Sequence, residues 1–120
     1  MSVQKLLIAN RGEIAVRIIR AARDLGINSV AVYSQDDAKS LHVPMADAAV
    51  PLEGTGASAY LDINQIIESA LSEGCDAIHP GYGFLAENAD FAAATEVNGL
   101  KFIGPSSQHL ALFGNKTAAR

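Results

Sequence analysis

The residues best suited to chemistry sit in one run, His79-Pro80-Gly81-Tyr82-Gly83-Phe84-Leu85-Ala86-Glu87-Asn88. The run follows a short apolar stretch, Ala77-Ile78, and precedes a helical pattern over 90–97. It therefore stands at a strand-to-helix junction. In open parallel α/β sheets, junctions at the carboxyl ends of strands are where ligands bind. Gly81 and Gly83 have no Cβ, so their backbone can approach a ligand or another loop closely. Tyr82, between them, would carry its ring and hydroxyl out of the loop. A plain turn, with Glu87-Asn88 capping the next helix, would not need two glycines around an aromatic.

Other candidates are open to plainer readings. In Ile8-Ala9-Asn10-Arg11-Gly12-Glu13 a strand enters a helix through a glycine turn, a geometry that can set backbone amides against an anion. Asp36 and Asp37, after the second strand, could then hold a dinucleotide ribose. The full fingerprint needs three glycines, however, and only Gly12 is present, with Glu13 where a phosphate would go. A structural turn with Glu13 at a helix N-terminus is the better reading. Arg17, Arg20 and Asp24 recur at i, i+3 and i+7 on the first helix. They form either an ordinary solvated face or a self-complementary patch at a two-fold interface. Lys116 is either a phosphate ligand or a surface charge. The three histidines, His42, His79 and His109, are too scattered for a metal set. His79, beside a proline, reads as a hydrogen-bonded core group, and Cys75 as a small buried hydrophobe.

These residues need a scaffold, and the pattern supplies one. Apolar runs over 5–9, 29–33, 48–52, 77–79 and 101–103 read as strands. Helices are expected over 13–25, 41–46, 62–71, 88–98 and 107–113. In the first helix Ile14, Ala15, Ile18, Ala22 and Leu25 share one face, and Gly26 follows its end. Gly99 and Gly114 stop later helices. Ile63, Ile66, Ile67, Ala70 and Leu71 form a second stripe, opened by an Asp62–Gln65 capping pair. The stretch 54–59 reads as a loop of small residues. Five strands alternating with helices imply a three-layer α/β domain around a mostly parallel five-strand sheet. The domain is expected over 1–114, and 115–120 reads as the start of a link to a further region.

Composition narrows the class. The chain has 120 residues, 49% of them hydrophobic, and a net charge of −4. That suits one folded domain and gives no basic footprint for nucleic acid. No apolar run reaches membrane-spanning length, and the N-terminus carries no signal-peptide pattern. A single cysteine fits a reducing, cytoplasmic setting.

Taken in order, the pieces resemble the N-terminal domain of biotin carboxylase, the ATP-using part of the biotin-dependent carboxylases. The residues that carry the resemblance are Ile8-Ala9-Asn10-Arg11-Gly12-Glu13-Ile14-Ala15, Val32-Tyr33-Ser34, Ala46-Asp47, 77–88, Phe102-Ile103-Gly104-Pro105 and Gly114-Asn115-Lys116. The resemblance implies a pre-ATP-grasp, Rossmann-like domain, followed by ATP-grasp domains in a longer chain. It implies a reaction in which MgATP and bicarbonate carboxylate biotin on a carrier protein, for transfer by a carboxyltransferase. ATP, magnesium and biotin are thus the cofactors of the complete enzyme, and this fragment is expected to bind none tightly and to be inactive alone. By the motif, Lys116 corresponds to an ATP-phosphate ligand, and Tyr82 with Gly83 to the wall of the biotin pocket. Glu87 corresponds to an orienting group. Arg17, Arg20 and Asp24 stay open between a solvated face and a homodimer contact. The alternatives are a non-catalytic interaction domain that kept the fold and an NAD-binding domain.

Overall fold

The computed structural model describes residues 3–103. The strands are β1 (Lys5–Ile8), β2 (Asn28–Tyr33), β3 (Ala48–Pro51), β4 (Ala77–His79) and β5 (Lys101–Phe102). The helices are α1 (Gly12–Asp24), α2 (His42–Met45), α3 (Gly56–Tyr60), α4 (Ile63–Ser72) and α5 (Ala89–Val97). A short 3₁₀ turn covers Gln35–Asp37. The predicted helix over 107–113, the link over 115–120, His109 and Lys116 lie outside the described residues.

Within the described residues the sheet has the order β3-β2-β1-β4-β5, and every pairing is parallel. The central strand β1 feeds both faces because successive side chains alternate. Leu6 and Ile8 pack with Ala15, Ile19 and Ala22 of α1 on one face. Leu7 joins Ile66, Ile67 and Ala70 of α4, and Phe91 and Ala92 of α5, on the other. These are the three layers implied by the alternation of strands and helices.

The caps follow the sequence closely. Asp62 accepts from the Gln65 backbone N–H at 3.2 Å, and Gln65 Nε2 donates back to Asp62 at 3.0 Å. Asn88 opens α5 by accepting from the Phe91 N–H at 2.9 Å. Cys75 is buried, and burial pushes its thiol up to about 11, so it behaves as the small hydrophobe expected.

Three local expectations need correction. Residues 56–60 form a helix, not a loop: the Asp36 carboxylate accepts from the Gly56 N–H at 3.0 Å and caps α3 from another part of the chain. The buried face of α1 is Ala15, Val16, Ile19 and Ala22, one residue round from the predicted stripe. Leu25 lies past the helix end and is 75% exposed. Leu71, placed in the stripe of α4, is also largely exposed, because Ile66, Ile67 and Ala70 already cover the sheet there.

Candidate functional site at the sheet switch point

The chain winds from β1 outward to β2 and β3, then returns to place β4 on the opposite side of β1. The carboxyl ends of β1 and β4 therefore flank the point where winding reverses, the usual ligand crevice of such sheets. In this protein that crevice is filled from within. Ala9 donates its N–H to the His79 carbonyl at 2.9 Å and extends the pairing. Asn10, 1% exposed, then turns its side chain toward the loop after β4. Its Nδ2 donates to the Pro80 and Tyr82 carbonyls, both at 2.8 Å, and its Oδ1 accepts from the Arg11 N–H at 2.8 Å.

The two glycines flanking Tyr82 do different work. Gly81 has φ 69°, and a Cβ there would stand 2.8 Å from both Asn10 Nδ2 and Ile14 Cγ2. Both the left-handed backbone and the close approach therefore demand glycine. Gly83, at φ 68°, faces open space and answers only the backbone requirement. Phe84 adopts φ 47° without being glycine, and its ring lies against Tyr60 at a centroid distance of 5.3 Å. Leu85 is buried in the core and pins the far side of the loop. Between these anchors Tyr82 stands 74% exposed. His79 Nδ1 accepts from the Gly81 N–H at 3.1 Å, which leaves the proton of the neutral ring on Nε2. Burial lowers the pKa of His79, so the neutral form is favoured.

Beside the loop lies a polar cluster that the spacing of residues did not reveal. Arg11 grips the buried Asp37 carboxylate with two hydrogen bonds, from Nε and Nη2. Asp37 also accepts from the Tyr60 hydroxyl at 2.7 Å and from Ser34 Oγ at 3.3 Å. The Tyr60 oxygen accepts from the Ser34 N–H at 3.1 Å. The hydrogen bond from Arg11 holds the Asp37 pKa well below the usual carboxylate range. Burial first, and the bond to Asp37 second, push the Tyr60 hydroxyl up to about 12. Asp36 is spent on Ser34 Oγ, at 2.6 Å, and on α3. Of the two acids considered for a dinucleotide ribose, Asp37 is buried in this cluster and Asp36, though exposed, bonds Ser34 and α3, while Asn10 turns its side chain into the crevice. Nothing in this arrangement favours the NAD-binding alternative.

Tyr82 and His79 also line one end of an apolar groove of about 540 Å³, with Arg17, Ile18 and Leu25 along α1 and Ile103 after β5. The structure therefore brings together two candidates that the sequence placed 65 positions apart, Tyr82 and Arg17. Arg20, Asp24 and Glu87 are exposed and do not line the groove. Asn10, Arg11, Asp37 and Tyr60 are the site residues that sequence reasoning missed in these roles. The one available signal was a polar Asn-Arg pair at the end of a buried strand.

A profile of the family described as "Biotin carboxylase, N-terminal domain" matches residues 2–110. The chain belongs to the biotin carboxylase N-terminal domain family. The chain is 57% identical over 120 residues to Biotin carboxylase 1 of Bacillus subtilis, covering 98% of this chain and 26% of that protein. It is 56% identical over 119 residues to the biotin-dependent acyl-coenzyme A carboxylase alpha3 subunit of Mycobacterium leprae, covering 98% of this chain and 20% of that protein. Among solved structures, it matches the biotin carboxylase domain dimer of the Hydrogenobacter thermophilus 2-oxoglutarate carboxylase, in complex with MgADP, ADP and bicarbonate. There the TM-score is 0.94 at 45% identity, over 99% of this chain and 26% of that one. The chain thus spans about a quarter or less of the relatives it matches. Among the described residues no helix is long and apolar enough to cross a membrane.

Proposed function

We propose that this domain is the N-terminal part of a longer, cytoplasmic biotin carboxylase, in which MgATP and bicarbonate carboxylate biotin on a carrier protein or domain. The observation that carries the reading is the exposed Tyr82 ring, on a loop held by the buried side chains of Asn10, Tyr60 and Leu85. Biotin, when bound, supplies the ring nitrogen that accepts the carboxyl group. Its ureido ring is flat and neutral and gives a protein no charge to grip. An aromatic face presented by a stiff loop suits such a group and sheds water from it. Gly83, with no side chain and open space around it, leaves the backbone beside Tyr82 free to approach the same ring. Glu87, exposed later in the same loop, is assigned to orient groups on a facing domain.

The remaining roles fall to the rest of the enzyme. Residues 1–114 form this domain, and 115–120 begin the link to ATP-grasp domains. Lys116 is assigned to the ATP phosphates, where one cation offsets developing negative charge. Magnesium is assigned to those downstream domains. A carboxyltransferase would take the carboxylated carrier onward. Arg17, Arg20 and Asp24 are assigned to a homodimer contact. Their exposure along one side of α1 supports this, as does the dimeric state of the Hydrogenobacter thermophilus relative. The test is phosphate release stimulated by bicarbonate and biotin. The complete enzyme is expected to show it and the 120-residue chain to lack it. Activity in the short chain, or none in the complete enzyme, would overturn the assignment.

A further inference from the structure

The Tyr82 loop is held at two points, and the two holds are joined. At one, Asn10 Nδ2 donates to the carbonyls on either side of Gly81. At the other, the Phe84 ring rests on Tyr60, whose hydroxyl is fixed by Asp37. Asp37 is gripped by Arg11, and the Arg11 N–H donates to Asn10 Oδ1. The contacts close a ring around the loop. The exposed Tyr82 side chain contributes little to its own placement, so its backbone must be fixed by others.

We propose that Asn10 is the positioning residue that holds the Tyr82 loop in the conformation that receives biotin. The inference rests on the reading of Tyr82 as the wall of the biotin site. Asn10 uses both amide protons and its oxygen, and few side chains could replace it. Aspartate has the same shape and keeps the acceptor for Arg11 but has no proton to give either carbonyl. Serine is too short to span them. Glutamine would bring an extra methylene into a space where Gly81 already lies in close contact. Loss of the two donors leaves two inward-facing carbonyls without partners, and the loop would move to find water. Holding a binding loop in its bound shape before the ligand arrives favours affinity by lowering the ordering cost.

The decisive variant is Asn10→Asp. In the 120-residue chain, amide hydrogen exchange over 81–88 should speed up about tenfold while β1 and α4 keep their protection. In the complete carboxylase the KM for biotin should rise about tenfold, with a smaller fall in kcat. Unchanged exchange in the loop would overturn the proposal. So would faster exchange with a normal biotin KM, if Tyr82→Ala in the same enzyme does raise that KM. If neither variant alters the biotin KM, the Tyr82 reading fails and the biotin part of the proposal falls with it, while faster exchange would still support the hold of Asn10 on the loop. If Asn10→Asp does not fold, NMR on the unaltered chain decides. Slowly exchanging Asn10 side-chain amide protons support the proposal, and exchange at the rate of a free amide overturns it.

Discussion

Truncating Tyr82 to alanine separates the functional reading of the loop from a structural one. A tyrosine side chain presents about 200 Å². With the residue 74% exposed, about 50 Å² of apolar contact is lost, or about 1 kcal/mol at 25 cal/mol per Å². The unfolded chain already covers some of that surface, so the true cost is lower. The melting temperature of the 120-residue chain should fall by about 4–8 °C at most. Tyr60→Ala, by contrast, empties a fully buried site and removes the hydroxyl that Asp37 holds, at about 3–5 kcal/mol. In the complete enzyme, Tyr82→Ala should raise the KM for free biotin about tenfold, the equivalent of about 1.4 kcal/mol of ring contact. Bicarbonate-dependent ATP cleavage should suffer less, because the ring is assigned to the acceptor and not to bicarbonate activation. Steady-state kinetics with varied biotin, run beside thermal melts of the chain, read both effects. A large drop in melting temperature with normal biotin kinetics would refute the assignment of Tyr82.

The other expectations concern the scaffold and its assembly. Gly81→Ala should destabilise the chain more than Gly83→Ala in urea titrations. Both pay about 1–2 kcal/mol for a left-handed backbone, but only Gly81 also drives a Cβ into Asn10 and Ile14; equal losses would show that the interlock is unimportant. His42 is buried, donates from Nε2 to the Val32 carbonyl at 3.1 Å, and has no partner for Nδ1 among the described residues. Burial lowers its pKa in the folded state. Its contribution to stability is therefore complete above about pH 6.5, the unfolded value, and shrinks as pH falls below it toward the folded value. His42→Phe should flatten the stability profile on the acid side of pH 6.5, and an unchanged slope would exclude His42 as its source. Arg20→Glu in the complete enzyme should weaken the dimer in sedimentation at low protein concentration, and an unchanged profile would remove α1 from the interface.

Much of this protein is determined locally and so is legible in the sequence. Strand and helix positions follow from apolar periodicity, and the ends from Asp62, Asn88, Gly26 and Gly99, because each depends on neighbours within one or two turns. The glycine turns of the 79–88 loop are legible for the same reason: the glycines and the aromatic between them are adjacent in the chain. What the sequence could not determine is which residues meet across the sheet. Asn10 reaches Pro80 and Tyr82 only because parallel pairing sets β1 beside β4, 70 positions later. Arg11 reaches Asp37 only because β2 lies on the other side of β1. Residues 56–60 become a helix because Asp36 caps them from a distance, although a run of small residues carries no local signal strong enough to nucleate one. Leu25 and Leu71 read as core in their own helices and stand exposed in the fold, since periodicity gives a face but tertiary packing decides how far round that face is covered.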